Sequence, residues 1–196
     1  IVEAHLDGWQ TATHCVGDRA SARVISAFEK AERALPAQKP RHRIEHYFVP
    51  PEGGLARMRA LEALIVTQPS FLARMRRSIL GAFGADAGKM YPARSVLDAG
   101  VSWIGSSDAP TGHVSPWIGM ANAVDRGASL GAPIGPDESL SHRQALGSYI
   151  RGGAFAMKQE DWRGVLAPGM AADFIVVDRD PCDDTTDLAK TNVLMT

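Results

Sequence analysis

The chain has 196 residues, of which 45% are hydrophobic and 22% charged, the composition of a soluble globular protein of one to one and a half domains. A formal net charge of −1 and a pI near 6.7 argue against the basic face that nucleic-acid binding requires. No apolar stretch approaches the roughly 20 residues that cross a bilayer, and two cysteines, Cys15 and Cys182, are too few for a disulfide framework and point to a reducing, cytoplasmic setting.

Residues 8–16 read as a strand carrying His14. Residues 18–35 read as a helix, with Ala22, Ile25, Phe28, Ala31 and Leu35 at helical spacing. The prolines at 36 and 40 bound a break. A second strand is expected at 43–47, with His46 near its end, and then a helix at 51–61 opened by Pro51. Residues 63–68 alternate as a third strand, and 71–90 form a long glycine-bearing loop with helical turns. A short helix at 93–99 closes on Gly100 as a C-cap, and 101–106 is a fourth strand. Helices follow at 117–126 and 141–157, the second N-capped by Ser141, with a Gly- and Pro-rich loop at 127–140. Strand–helix units at a period near thirty residues mean βαβ units and a parallel sheet. From Gly164 the character changes, with a turn at 164–169 and a β-branched strand at 173–178. The expected division is a partial α/β barrel over 1–163 and part of a small β-sandwich over 164–196. The sequence starts on Ile1 with no charged-then-apolar leader and stops on an apolar, strand-like run, so a piece of a longer protein is expected.

In a parallel α/β barrel all strands point their carboxyl ends to one face, so residues there converge although distant in sequence. His14, His46 and Asp108 stand at three such ends, and two imidazoles with a carboxylate are the ligand set of a hydrolytic zinc-type site. Each residue also has a structural alternative. His14 suits a satisfied core histidine with Asp18 merely capping a helix, and Asp108 suits an Asx-turn before Pro110. Strand alternation puts Ile44 with His46 on one face and Arg43 with Glu45 on the other, which points Glu45 at a helix in an ion pair with Arg41 or Arg43. Cys15 faces away from His14 and reads as a small buried strand residue. His5, His42 and His142 read as surface or packing histidines. His113, Gln68, Arg74, Tyr91 and Trp117 are strand-end or loop residues that could line a pocket.

Taken together, His14-Cys15-Val16-Gly17-Asp18, Arg43-Ile44-Glu45-His46, Thr67-Gln68-Pro69, Ser107-Asp108-Ala109-Pro110 and the Pro168-Gly169-x-x-Ala172-Asp173 tail resemble the amidohydrolase superfamily, in its family 3 branch of N-substituted formamide deformylase-like enzymes. The resemblance covers nearly the whole chain. It implies the C-terminal half of a (β/α)8 barrel plus a strand or two of a small β-sandwich. It also implies His14 and His46 as ligands of a divalent metal, zinc by type and one or two ions in the parent protein. Asp108 becomes ligand and general base. From their positions alone, Asp18 and Glu45 are candidate supports of the ligands, and Gln68, His113, Tyr91 and Trp117 candidate substrate contacts. The implied substrate is a small amide or formamide. Missing are the His-x-His of the first barrel strand and the bridging carboxylate of the fourth. The chain alone is therefore expected to be inactive, and its bare sheet edges favour self-association. Two rivals stay open: a deaminase-type chemistry on the same anchors, and a metal-free scaffold or regulatory homologue.

Overall fold

The computed structural model describes every residue from Ile1 to Thr196. It is α/β, with four parallel strands lying side by side in chain order. These are β1 (Ala12–Cys15), β2 (Arg43–His46), β3 (Leu64–Thr67) and β4 (Trp103–Gly105). The chain divides into two compact units, one of Ile1–Thr67 with Lys89–Trp103, the other of Gln68–Gly88 with Ile104–Thr196. No helix is long and apolar enough to cross a membrane.

The first unit is built as strand–helix repeats. Helix α2 (Asp18–Ala34) buries Ser21, Ile25, Phe28 and Ala31, a stripe at helical spacing that covers the sheet. Helix α3 (Gly54–Ala60) starts three residues later than expected, because Pro51 sits in the preceding turn and not in the helix. It is tied to α2 by a two-pronged Arg57–Glu29 ion pair, Nε to Oε1 at 2.7 Å and Nη2 to Oε2 at 2.9 Å. Strand β3 corrects the expected alternation. All four of its residues are buried, as in a parallel strand covered on both faces. Gly100 follows helix α6 (Ala93–Asp98) at φ 73°, the left-handed stop expected of it.

The expected first strand is shorter and is preceded by a helix, α1 (Val2–Leu6), which the sequence reading did not anticipate. Its purpose is visible in His5. The Leu35 carbonyl can only accept, so His5 Nε2 carries the proton and donates to it at 3.0 Å. His5 Nδ1 then accepts from His42 Nε2 at 3.1 Å, and His42 Nδ1 accepts from the Thr11 N–H at 3.2 Å. Phe28 stacks on the His42 ring with centroids 4.9 Å apart. Both histidines are buried, so of the surface and packing alternatives it is packing that forms.

In the second unit, residues 71–90 are mostly helical and not loop. Helix α4 (Phe71–Arg74), helix α5 (Arg76–Phe83) and a 3₁₀ run (Gly84–Lys89) follow one another. Arg76 donates to the Gly127 and Ala132 carbonyls and so fastens the loop that follows helix α7 (Pro116–Asp125). The expected single helix at 141–157 is two, α8 (His142–Tyr149) and α9 (Arg151–Ala156), which meet at Ile150, whose ψ of −77° lies at the edge of the helical region. Ser141 does cap α8, in a reciprocal capping box with Gln144. His142 is buried, its Nε2 donating to the Thr186 carbonyl at 3.0 Å. The tail forms a two-stranded antiparallel sheet, β5 (Val176–Val177) and β6 (Val193–Met195), with the first strand shorter than expected.

Candidate active site

The first unit brings His14 and His46 together. Both stand at the carboxyl ends of neighbouring parallel strands, and their rings meet edge-on, with centroids 4.5 Å apart and planes at 74°. Register alone does not produce this meeting. Cys15 is the partner of His46, and His14 is the partner of Glu45. In regular strands His46 would share the face of Cys15 and turn away from His14. His46 instead adopts φ 77°, and Tyr47 after it φ 48°. Left-handed backbone is costly for a side chain with a Cβ and persists only where the surroundings impose it. Here it swings the imidazole round to His14. The Tyr47 N–H holds the bend by donating to the Cys15 carbonyl at 3.0 Å.

The same register corrects the placement of Glu45. It shares a face with His14, not with a helix, while Ile44 and Cys15 fill the opposite, buried face. Its expected ion pair with Arg43 is present, Nε to Oε1 at 2.8 Å. Burial pushes the Cys15 thiol up to about 11, so it is a packing residue without thiolate character. Asp18 is not the helix cap. Gly17 takes that position, and Asp18 lies exposed in the first turn of α2 with Oδ1 accepting from the Arg19 N–H at 2.7 Å. Tyr91 is buried against Phe48.

The second unit carries Asp108 on the turn after β4. The backbone there is left-handed at φ 51°, and the Thr111 and Gly112 amides donate to the Asp108 carbonyl at 2.8 and 3.1 Å. The Asx-turn alternative is not what forms. Ser107 Oγ accepts from the Ala109 N–H and closes the bend, leaving the Asp108 carboxylate exposed to solvent. His113 is exposed as well, its Nδ1 accepting from the Ser115 N–H at the start of α7. Gln68 and Trp117 are buried and do not open to solvent, whereas Arg74 is exposed in the last turn of α4.

Two edge-on imidazoles at strand ends suit a transition-metal ion by the chemistry of their nitrogen donors. Neither unit by itself gathers three or more His, Cys, Asp or Glu into a group that could hold one.

A family model described as amidohydrolase family matches residues 1–196. The chain belongs to the amidohydrolase family. It is 34% identical over its whole length to the N-substituted formamide deformylase of Arthrobacter pascens, covering 36% of that protein. It is 31% identical over 92% of its length to the putative amidohydrolase YtcJ of Bacillus subtilis, covering 34% of that protein. Among solved structures, an uncharacterized metal-dependent hydrolase from Pyrococcus horikoshii superposes on 94% of this amidohydrolase chain with a TM-score of 0.80 at 26% identity. That match takes in 36% of the Pyrococcus chain. The chain thus spans about a third of the length of the relatives it matches.

Proposed function

We propose that this chain is the C-terminal part of a metal-dependent hydrolase that cleaves the C–N bond of a small amide or formamide-like substrate. The observation that carries the reading is the His14–His46 pair, brought edge-to-edge by a left-handed residue at a strand end. Family membership and the deformylase relative support the reaction type. In this reading residues 1–163 belong to a barrel and 164–196 to a small β-sandwich. Asp108 is a ligand as well as the base in this reading, and the further ligands come from the parent protein, whose relatives this chain matches over about a third of their length, so the segment alone is inactive.

His14 and His46 would hold the divalent ion, zinc in this reading, through one ring nitrogen each. The ion, when bound, supplies Lewis acidity that makes water a nucleophile at neutral pH and polarises the substrate carbonyl. The chain's own part is proton movement. The Asp108 carboxylate, unencumbered in its turn, takes the proton of the attacking water and returns it to the departing nitrogen as the C–N bond breaks. Glu45, in register with His14 and ion-paired with Arg43, would support that ligand. Asp108→Asn in the full-length protein tests the assignment. Turnover of an N-substituted formamide, followed as released amine, should fall at least about a thousandfold, consistent with losing a positioned acid–base group. Retained turnover would refute the role.

A further inference from the structure

We infer that Tyr149 and Gln68 are positioning residues for Asp108: together they clamp Ser106, two residues upstream, and thereby fix the turn that presents the carboxylate. The inference rests on the reading of Asp108 as the proton-transfer group.

The clamp has two jaws. Gln68 Nε2 donates to the Ser106 hydroxyl at 2.8 Å, and the Tyr149 hydroxyl donates to the Ser106 carbonyl at 3.4 Å. Gln68 is only 2% exposed, so its amide serves the chain and not a small molecule. The Tyr149 ring reaches Ser106 through a slot that only glycine can floor. A Cβ on Gly105 would lie 2.2 Å from the ring, and a Cβ on Gly119 would lie 1.9 Å from the hydroxyl oxygen. Two glycines on different elements, one ending β4 and one inside α7, both make room for the same side chain. A ring needed only for packing would not require its hydroxyl end to be accommodated this closely. Burial raises the Tyr149 phenol above its usual range, so it keeps its proton and remains a donor.

The other side of the turn is equally confined. A Cβ on Gly112 would lie 1.9 Å from the Ser107 carbonyl oxygen, and the Thr111 and Gly112 amides close onto the Asp108 carbonyl. Asp108 sits in the middle with left-handed backbone. Aspartate tolerates such backbone better than most residues with a Cβ, and the confined turn selects it here. The clamp on Ser106 supplies the upstream half of that constraint.

Tyr149→Phe deletes the hydroxyl and leaves the ring in its slot. Ser106→Ala removes the acceptor of Gln68 and provides a second probe if the first variant folds poorly. Amide hydrogen exchange of Thr111 and Gly112 in the full-length protein reads the turn without any substrate. Loss of one hydrogen bond should speed it on the order of fivefold, while the melting temperature moves little. Turnover of an N-substituted formamide should fall about tenfold in kcat with KM within about twofold, the split expected when an interaction acts in the transition state. Unchanged exchange in both variants would overturn the clamp. Faster exchange with unchanged kcat, where Asp108→Asn is inactive, would overturn positioning alone. Faster exchange with unchanged kcat, where Asp108→Asn is also active, would overturn the proton-transfer reading and the inference with it.

Discussion

The two ends of strands β1 and β2 each carry a pair of histidines, and the pairs are opposites. At the amino end, His5 and His42 are buried and joined in a hydrogen-bonded relay from Thr11 to the Leu35 carbonyl. At the carboxyl end, His14 is exposed and meets His46 edge-on, at the expense of a left-handed residue. One pair has every nitrogen engaged with the fold. The other has been bent toward itself. The proposed function would put stability at the amino ends of these strands and chemistry at their carboxyl ends, the division a parallel α/β barrel uses.

The largest effect that could break this contrast is His42→Ala. It strands the Thr11 amide and the bare Nδ1 of His5 and leaves a cavity against Phe28, so it should destabilise the chain by about 2–4 kcal/mol. The shift in denaturation midpoint at constant slope measures it, and a shift near zero would remove the structural role of the amino-end pair. A smaller effect concerns the thiols. Cys15 should resist labelling while Cys182, which is partly exposed, reacts readily. Because burial raises the Cys15 thiol from 9.0 to about 11, its contribution to stability is intact below about pH 9 and is lost as pH rises through about 11. Denaturant titrations at pH 8 and 10.5, compared with Cys15→Ala, would show that loss. The smallest effect is His14→Ala, which should leave stability within about 0.5 kcal/mol, as for an exposed site. A loss comparable to that of His42→Ala would erase the distinction between the two ends.

Much of the fold was legible because periodicity reports burial directly. The stripe on α2, the capping box at Ser141 and the left-handed stop at Gly100 each follow from residues whose chemistry has one local use. Residues 71–90 read as a loop with helical turns because Gly81 and Gly84 sit beside helix formers and break the apolar pattern, while tertiary anchors such as Arg76 hold the helices. The break at Ile150 follows no proline, and its neighbours Gly147, Gly152 and Gly153 were the available warning. At the candidate site the residue types gave the strand ends away, but not the geometry. Glu45 was assigned to the wrong face because strict alternation was carried through His46, where a positive φ ends it. The His5–His42 relay was invisible because it joins residues 37 apart through a helix the sequence did not announce.

Metal analysis of the full-length protein and three single variants tests the central claim most directly. His14→Ala and His46→Ala should each lose stoichiometric divalent metal, while His42→Ala, assayed below its melting temperature, should retain it. Full metal content in both carboxyl-end variants would contradict the account.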